Sequence, residues 1–567
     1  MSSIASLGRM VSGLKAAQKG LQVTGHNLSN MNTVGYTRQQ LLQNESAYLN
    51  IGNAGGSLMQ VGLGVTQTEI RQIRDSLADR RLRTETSVLG YYQTNSATMS
   101  EIESILDEPY GEGVGQMLNN FWSQTQKLNT NPDGVEERLS FIQAANVLIK
   151  KANQVANALN SYQDNLNTQV ITVTNRINQI IKDIKECNDK ISVNEINGDH
   201  ANDYRDQRNS LLDELATYGE IRYEEDADNR ITVSFENTVV VDKEFLTFIE
   251  LKQTKPNSPF VKPVWSNNKE DVYKLDKVIS AAKETDTGSL KALLISRGEE
   301  YANQNTTWED IALNDKYSVD MVGNSYLIPK TYKKFNEFIN AVVEVANEAL
   351  DGMGIGIHKG MTGVPVFTPI KTPAGNPPPV KPDAADKVTY PDEATYNAAY
   401  DQYIKDYRSY LASDALKSYM VPGNLEVNPE LLENGGYNKL GTVANDKDDI
   451  GDNSKVTGLL EKWGESREWP GPMSDLNPSD PNYKKVSLMN YYSEFVTDIG
   501  MEGSGFNNKV KEKAATVNNI EQERTSMGAV SQDEELTFML KYQYAYNAAA
   551  RMVTMMDSMM DTIINKM

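Results

Sequence analysis

The sequence predicts a mainly α fold with β-containing outer inserts. It is an elongated, nested, multi-domain chain whose N- and C-terminal helices pair as a coiled-coil-like core. Three observations predict it. An apolar stripe at heptad spacing runs from Leu148 to Ile191, and seams of the same spacing sit at each terminus. Proline, which breaks helices by removing an amide and clashing with the preceding turn, is absent before Pro109, between Pro132 and Pro256, and after Pro481.

The N-terminal seam is Ile4, Leu7, Val11, Leu14, Leu21 and Leu28, with Gln18 and Gly25 as its weak steps. The C-terminal one is Met539, Tyr542, Tyr546, Ala549, Val553, Met556, Met560, Ile563 and Met567. Ser531 followed by Glu534 forms a capping-box pattern there, and Asp533, Glu534 and Glu535 complement the helix dipole. From Ser531 to the end such a helix spans about 54 Å. Alone in water it is marginal, so it needs a partner. Two terminal seams fit a chain that leaves and returns through one place. The spacing fits equally well the ordinary cores of two separate bundles.

Between them the chain reads as follows. Asn27, Asn30, Asn32 and Gly35 are turn formers that end the first helix. Gly52–Ser57 reads as a hinge, and Val61, Leu63 and Val65 alternate as a short strand. A helix is expected from about Arg71 to Leu106, followed by the heptad stripe, on which Cys187 is a core position rather than a reactive thiol. Asn202–Leu215 is a second, charged helix; Ile221–Tyr223 and Arg230–Val241 are strands; Pro256–Lys283 reads as irregular. Helices follow at Leu290–Ile295 and Phe335–Leu350, then a Pro/Gly-rich linker over Gly352–Asp392 and a Tyr-rich helical patch, Tyr396 to Tyr410. From Tyr483 the pattern is helical to the end. The expected domains are 1–70 with 520–567 as the terminal core, 71–217 with 276–350 and 482–519 as a long-helix rod, 218–275 as a small strand-rich element, and 351–481 as an outer insert.

Composition narrows the function. A net charge of −21 and a pI near 4.8 over 567 residues argue against a nucleic-acid partner, which needs a basic stripe. No apolar run is long enough for a membrane span, so no membrane partner is expected. The N-terminus lacks a cleavable secretory signal pattern. Three dispersed histidines and one cysteine do not make a zinc site, and no nucleophile elbow or phosphate loop occurs. The glycine run Gly352–Gly356 reads as a helix exit. Asn445–Asn453 has a calcium-loop flavour but places Ile450 and Thr457 where oxygen ligands belong. No catalytic, cofactor or metal residue is nominated, and no enzyme is expected.

The termini carry a resemblance. Asn27–Gln39, NLSNMNTVGYTRQ, resembles the N-terminal signature of bacterial flagellar axial proteins. Its continuation Tyr36-Thr37-Arg38-Gln39 is similar to the form in the hook-associated family at the hook–filament junction, where rod and hook proteins usually depart. NDYRDQRNSLLDEL at Asn202–Leu215, Asn428-Pro429, Gly451-Asp452-Asn453 and SQDEELTFMLKYQYAYNAAARMV at Ser531–Val553 resemble that family too. Asn303–Leu327 and Gly360–Tyr410 align to no family pattern, which leaves the outer domains open.

The resemblance implies a structural junction subunit, exported by the flagellar type III apparatus and placed outside the cell at the hook–filament junction. It implies a ring of about eleven copies of the chain, the hook protein on one side and a second junction protein on the filament side. It also implies an export chaperone at the C-terminal helix, where Met552–Met567 offers an adaptable surface. The assembly residues expected are Ile4, Leu7, Val11, Leu14, Leu21, Leu28, Asn32, Gly35, Tyr36, Arg38, Tyr542, Tyr546, Ala549, Val553, Met556, Met560 and Ile563. The rival readings are a hook or rod subunit, and an exported enzyme with its activity in 352–481.

Overall fold

Both ends of the chain run into one helix pair, and a second pair lies directly inside it. This is a computed structural model. It describes all residues except 1, 34, 55–56, 108–112, 197–199, 257, 277–285, 315–323, 352–362, 373–376, 378, 384–385, 387–388, 412, 414–415, 417–418, 444–450, 470–484 and 567.

Helix α1 (Ser2–Asn30) ends in a turn closed by the Thr33 amide on Asn30 O at 2.9 Å, with Gly35 at φ 82°, a left-handed value that favours glycine. Strand β1 (Gln39–Glu45) then pairs antiparallel with β4 (Val65–Gln72), and between them β2 (Tyr48–Ala54) pairs with β3 (Ser57–Gly62). Two expectations are corrected here. Gly52–Ala54 and Ser57 belong to strands rather than a hinge, and residues 55–56 lie outside the described set. The alternating Val61, Leu63 and Val65 span two successive strands, not one: Val61 lies in β3, Val65 opens β4, and the break between them carries Gly64 at φ 117°, with the Leu63 amide on Ala47 O and the Ser46 amide on Gly64 O.

Helix α2 (Ser76–Leu106) starts later than expected, because Arg71 and Gln72 still pair in the sheet and the Asp75 carboxylate caps the amides of Leu77 and Ala78. Helices α3 (Val114–Thr130) and α4 (Val135–Asn194) follow, the latter 60 residues long and so about 90 Å. The heptad stripe is its buried edge. Leu148, Val155, Leu159, Leu166, Ile177, Ile180, Ile184, Cys187 and Ile191 are buried, with Tyr162 and Val173 packed partly against them. Burial pushes the Cys187 thiol up, consistent with core packing.

Helix α5 (Asn202–Tyr218) leads into a three-stranded antiparallel sheet, β5 (Ile221–Glu225), β6 (Ile231–Phe235) and β7 (Thr238–Val241). The stretch expected as one strand, Arg230–Val241, is a hairpin, turned at Glu236 and Asn237 with positive φ. Part of the stretch expected to be irregular is also a strand: β9 (Val261–Trp265) pairs with β8 (Ile249–Gln253). Pro263 lies within β9, which masks the pattern; it has no amide to donate, and its carbonyl accepts from the Val272 amide at 3.1 Å.

Next come α6 (Ser289–Arg297), the single turn α7 (Trp308–Ile311) and α8 (Leu327–Asp351). Helix α8 begins eight residues before the expected Phe335, with Pro329 in its first turn, where no intrahelical amide bond is lost. The insert contributes β10 (Phe367–Pro369), α9 (Glu393–Leu411), β11 (Leu425–Val427), α10 (Pro429–Leu432) and α11 (Ser454–Gly464). Fully buried Arg138 of α4 anchors it, donating to the carbonyls of Pro132, Tyr437 (3.1 Å) and Leu440 (2.9 Å) and to the Thr442 hydroxyl. The glycine run at 352–356 and residues 445–450 of the calcium-like stretch lie outside the described residues.

The chain returns along α12 (Leu488–Gly528) and, after a break at Ala529–Ser531, α13 (Gln532–Lys566). Helix α12 lies antiparallel on α2, with Lys513 on Glu85 at 2.9 Å and Arg81 on Glu523 at 3.2 Å. Helix α13 lies antiparallel on α1. Of the two readings that spacing left open, a shared terminal pair is the one the fold takes.

Candidate functional site

The site is the terminal pair, α1 with α13, and the joint that carries it. On α13 the expected seam is the covered face. Met539, Tyr542, Tyr546, Ala549, Val553, Met556 and Met560 are half-buried, whereas nearly every other described side chain there is exposed, Glu535 and Ala550 excepted. The Ile563 side chain lies outside the described set.

On α1 the face in contact is not the expected one. Ala16, Ala17, Gly20, Val23, Thr24 and Asn27 are buried, while Leu7, Val11, Leu14, Leu21 and Leu28 are only half-buried; the Ile4 side chain is not described. The reason is room. A Cβ on Gly20 would lie 2.6 Å from the Tyr542 ring, so small residues bring α1 close enough to seat that ring. The leucines lie roughly a third of a turn away at 100° per residue, as a second apolar face.

Helix α13 also has a second apolar face. Tyr544, Met552, Met555 and Met559 are 51–71% exposed and line up with Ala548 about a third of a turn from the seam. The pair thus closes one contact and leaves an apolar face on each helix.

The joint below the pair is polar and tightly bonded. Asn27, 1% exposed, is its node. Its Oδ1 accepts from the Tyr36 hydroxyl (2.7 Å) and the Gln39 amide (3.0 Å), and its Nδ2 donates to Gln39 O (2.9 Å) and Glu535 Oε2 (3.2 Å). Arg38 pairs with Glu535 at 2.7 Å and Glu534 at 3.0 Å, and its guanidinium lies over the Phe538 ring. Its amide donates to Gly528 O (2.9 Å), tying the loop to the end of α12. Tyr36 is edge-on to His26 at 5.6 Å. Burial, then the charges of Asp206, Asp203 and Glu535, push its phenol well up, so it stays a neutral donor. Asn32 and Gly35 are exposed turn residues.

The joint binds the rod through α5. Asp206 accepts from the Thr37 amide at 3.2 Å and lies 3.9 Å from Arg74; burial nonetheless pushes its carboxyl up to about 6. Arg74 also pairs with Asp79. Asp213 bridges Arg83 of α2 and Arg524 of α12, both at 2.7 Å. Arg205 holds Glu195 at 2.7 Å, and Arg208 reaches Glu225 at 3.0 Å.

Of the expected site residues, Tyr36, Arg38, Tyr542 and the α13 seam come together at or above this joint. Sequence reading missed Gly20, Asn27 as a bonded node rather than a mere turn former, Glu535 as more than a dipole complement, and Asp206. A buried amide can be read from a single sequence only as a polar position on an apolar helix. Its partner here is 508 residues away.

The model of the flagellar hook-associated protein FlgK helical domain matches residues 99–322, and that of the flagella basal body rod protein matches residues 10–37. Flagellar hook-associated protein 1 of Bacillus subtilis is 23% identical over 565 residues, covering 98% of this chain and 96% of that one. Its counterpart in Salmonella typhimurium is 29% identical over 217 residues, 38% of each chain. The solved flagellar hook junction protein FlgK from Burkholderia pseudomallei shares the fold, with a TM-score of 0.51 at 10% identity, over 80% of this chain and 100% of that one.

The stretch that the rod-protein model matches runs into the joint between the terminal helix pair and the long-helix rod. Over nearly its whole length the chain is similar to flagellar hook-associated protein 1. Among the described residues, no group of three or more acidic, histidine or cysteine side chains could hold a metal ion, and no helix is long and apolar enough to cross a membrane.

Proposed function

We propose that the chain is a structural junction subunit that joins the flagellar hook to filament-side proteins by packing its terminal helices against those of neighbouring copies. One observation carries the reading: the α1–α13 pair leaves the Leu7–Leu28 face on one helix and the Met552–Met559 face on the other. Two different apolar faces on one subunit suit a head-to-tail contact, which closes into a ring when the rotation per subunit closes. A ring of about eleven copies is the family expectation adopted here. The hook protein lies on one side and a second junction protein on the other.

Before assembly the methionine face is the natural seat for an export chaperone, since thioether side chains adapt to more than one partner. Export through the type III route places the protein outside the cell. No catalytic role is assigned, because the subunit's work is mechanical.

The test compares Met555→Asp with Asn547→Asp. Met555 is 57% exposed in the single chain, so a carboxylate there costs little until a neighbour buries it. Met555→Asp cells are expected to export the protein but retain less than about a tenth of it on isolated hooks, several kcal/mol being lost per buried charge. Asn547→Asp, on an exposed position off both faces, is expected to behave as wild type. Equal retention of the two variants would refute assembly through this face.

A further inference from the structure

Six of the chain's 21 methionines fall within Met552–Met567, so thioether sulfur is concentrated at the end of the chain. Exposure sorts them by face. Met552, Met555 and Met559, at i, i+3 and i+7 of α13, are 51%, 57% and 51% exposed, whereas Met556 and Met560 of the seam are half-buried. Met501 and Met527 of α12 are just as open, at 62% and 53%, but lie off that face, and Met99 of α2 is 1% exposed. The single thiol does not compete: Cys187 is buried, so an oxidant in solution meets thioether sulfur first.

We propose that Met552, Met555 and Met559 are a modification site for peroxide-type oxidants, and that their conversion to sulfoxides bars an unassembled subunit from its neighbours. The second half rests on the reading of this face as an assembly surface.

Each reaction is a balanced oxygen transfer. The thioether sulfur attacks one oxygen of hydrogen peroxide, so that an S–O bond forms and the O–O bond breaks. The departing hydroxide takes the proton left on the transferred oxygen and leaves as water. Sulfur is oxidised by two electrons and the peroxide is reduced. A polar, chiral sulfoxide then stands where there was a flexible apolar group. Its oxygen keeps its water while the face is open and loses it when a neighbour covers the face, so the cost falls on assembly rather than on the fold. A face already covered shields its sulfurs. Peroxide therefore blocks the addition of new subunits and spares finished junctions.

The test treats the purified full-length chain with hydrogen peroxide and maps sulfoxides by peptide mass spectrometry. Met552, Met555 and Met559 are expected to oxidise at least about tenfold faster than Met99, and about threefold faster than Met556 and Met560. Equal rates on the two faces of α13 would rule out the site. Retention on isolated hooks is then read, for each variant, as the ratio of treated to untreated protein. The parent ratio is expected to fall to about a tenth, and to recover after treatment with both methionine sulfoxide reductases, one for each epimer. Met552→Leu, Met555→Leu and Met559→Leu together keep an apolar face that cannot take up oxygen, and should prevent the fall. Met501→Leu with Met527→Leu should leave it as in the parent. An unchanged parent ratio, or protection by the α12 substitutions instead, would overturn the switch. If Met555→Asp is lost from hooks while the oxidised parent is kept, the switch alone fails; if Met555→Asp is itself retained, the assembly reading fails and takes the switch with it.

Discussion

The chain builds two antiparallel helix pairs from its own two ends, and they are finished differently. In the inner pair, α2 and α12, most large apolar side chains are covered within the subunit, Leu77, Met501 and Met527 excepted. Tyr492 and Phe495 of α12 stack against Phe338 and Phe335 of α8, and behind them α4 presents an unbroken buried stripe. Charges close its edges, as where Lys330 meets Glu502 at 2.7 Å. In the outer pair, α1 and α13, the α13 seam and the Leu7–Leu28 face of α1 are only half-buried, the Met552–Met559 face is exposed, and the deepest contacts are made by small or polar residues such as Ala16, Gly20, Thr24 and Asn27. A finished pair stabilises the subunit. An unfinished one stores apolar surface for another molecule.

The largest expected effect tests that contrast directly. Ile180→Ala empties a site with no exposure in α4 and should cost about 2–5 kcal/mol of unfolding free energy in denaturant titration. Val553→Asp, in the half-buried outer seam, should move the same transition by no more than about 0.5 kcal/mol while making α13 quickly cleaved by protease. Similar losses in both would erase the distinction between the pairs.

A second prediction sharpens the picture of the inner region. Burial in α8 pushes the Glu337 carboxyl up to about 8, against an ordinary 4.5, although Lys333 and the Trp308 indole pull it down. A carboxyl raised on folding favours the protonated form, so the rod should lose stability as pH climbs from about 5 to 8 and level off above that. The drop should be on the order of 2–4 kcal/mol. Glu337→Gln should flatten that dependence, read as the difference in denaturation midpoint between pH 5.5 and pH 8.5. An unchanged slope in the variant would move the titration elsewhere.

The smallest effect concerns the joint. Asn27→Ala leaves the Tyr36 hydroxyl and both backbone groups of Gln39 without their partner, a local cost of about 1–3 kcal/mol. Hydrogen exchange of the Gln39 amide should quicken accordingly, with the melting temperature of the rod unmoved. A fall in rod melting temperature instead would show that joint and rod unfold as one unit.

What could be read from the chain follows the range of the interaction. The α4 stripe and the α13 seam were legible because periodicity is local: each apolar position is identified by neighbours three and four residues away. The α1 seam misled for the same reason. Leucines are the loudest apolar signal, yet close helix contact is made by Ala16, Gly20 and Val23, whose smallness registers only beside Tyr542. Pro263 hid a strand, and the positive-φ turn at Glu236–Asn237 looked like continuous β sequence. The resemblance located the Asn27–Gln39 and Asn202–Leu215 stretches but not their contact, which the Thr37 amide makes with Asp206.

The separation of 508 residues between Asn27 and Glu535 fixes an order of events. Closing a loop of that length from an unfolded chain carries a large entropic cost, of the form (3/2)RT ln n. Once α2 and α12 have met, however, Arg38 and Gly528 are already neighbours, and the remaining loop shrinks to the few residues around them. The outer helices then zip outward from that point, one turn at a time, with little further closure entropy to lose. The last turns to zip, and the first to fray, are the ones that carry the uncovered methionines.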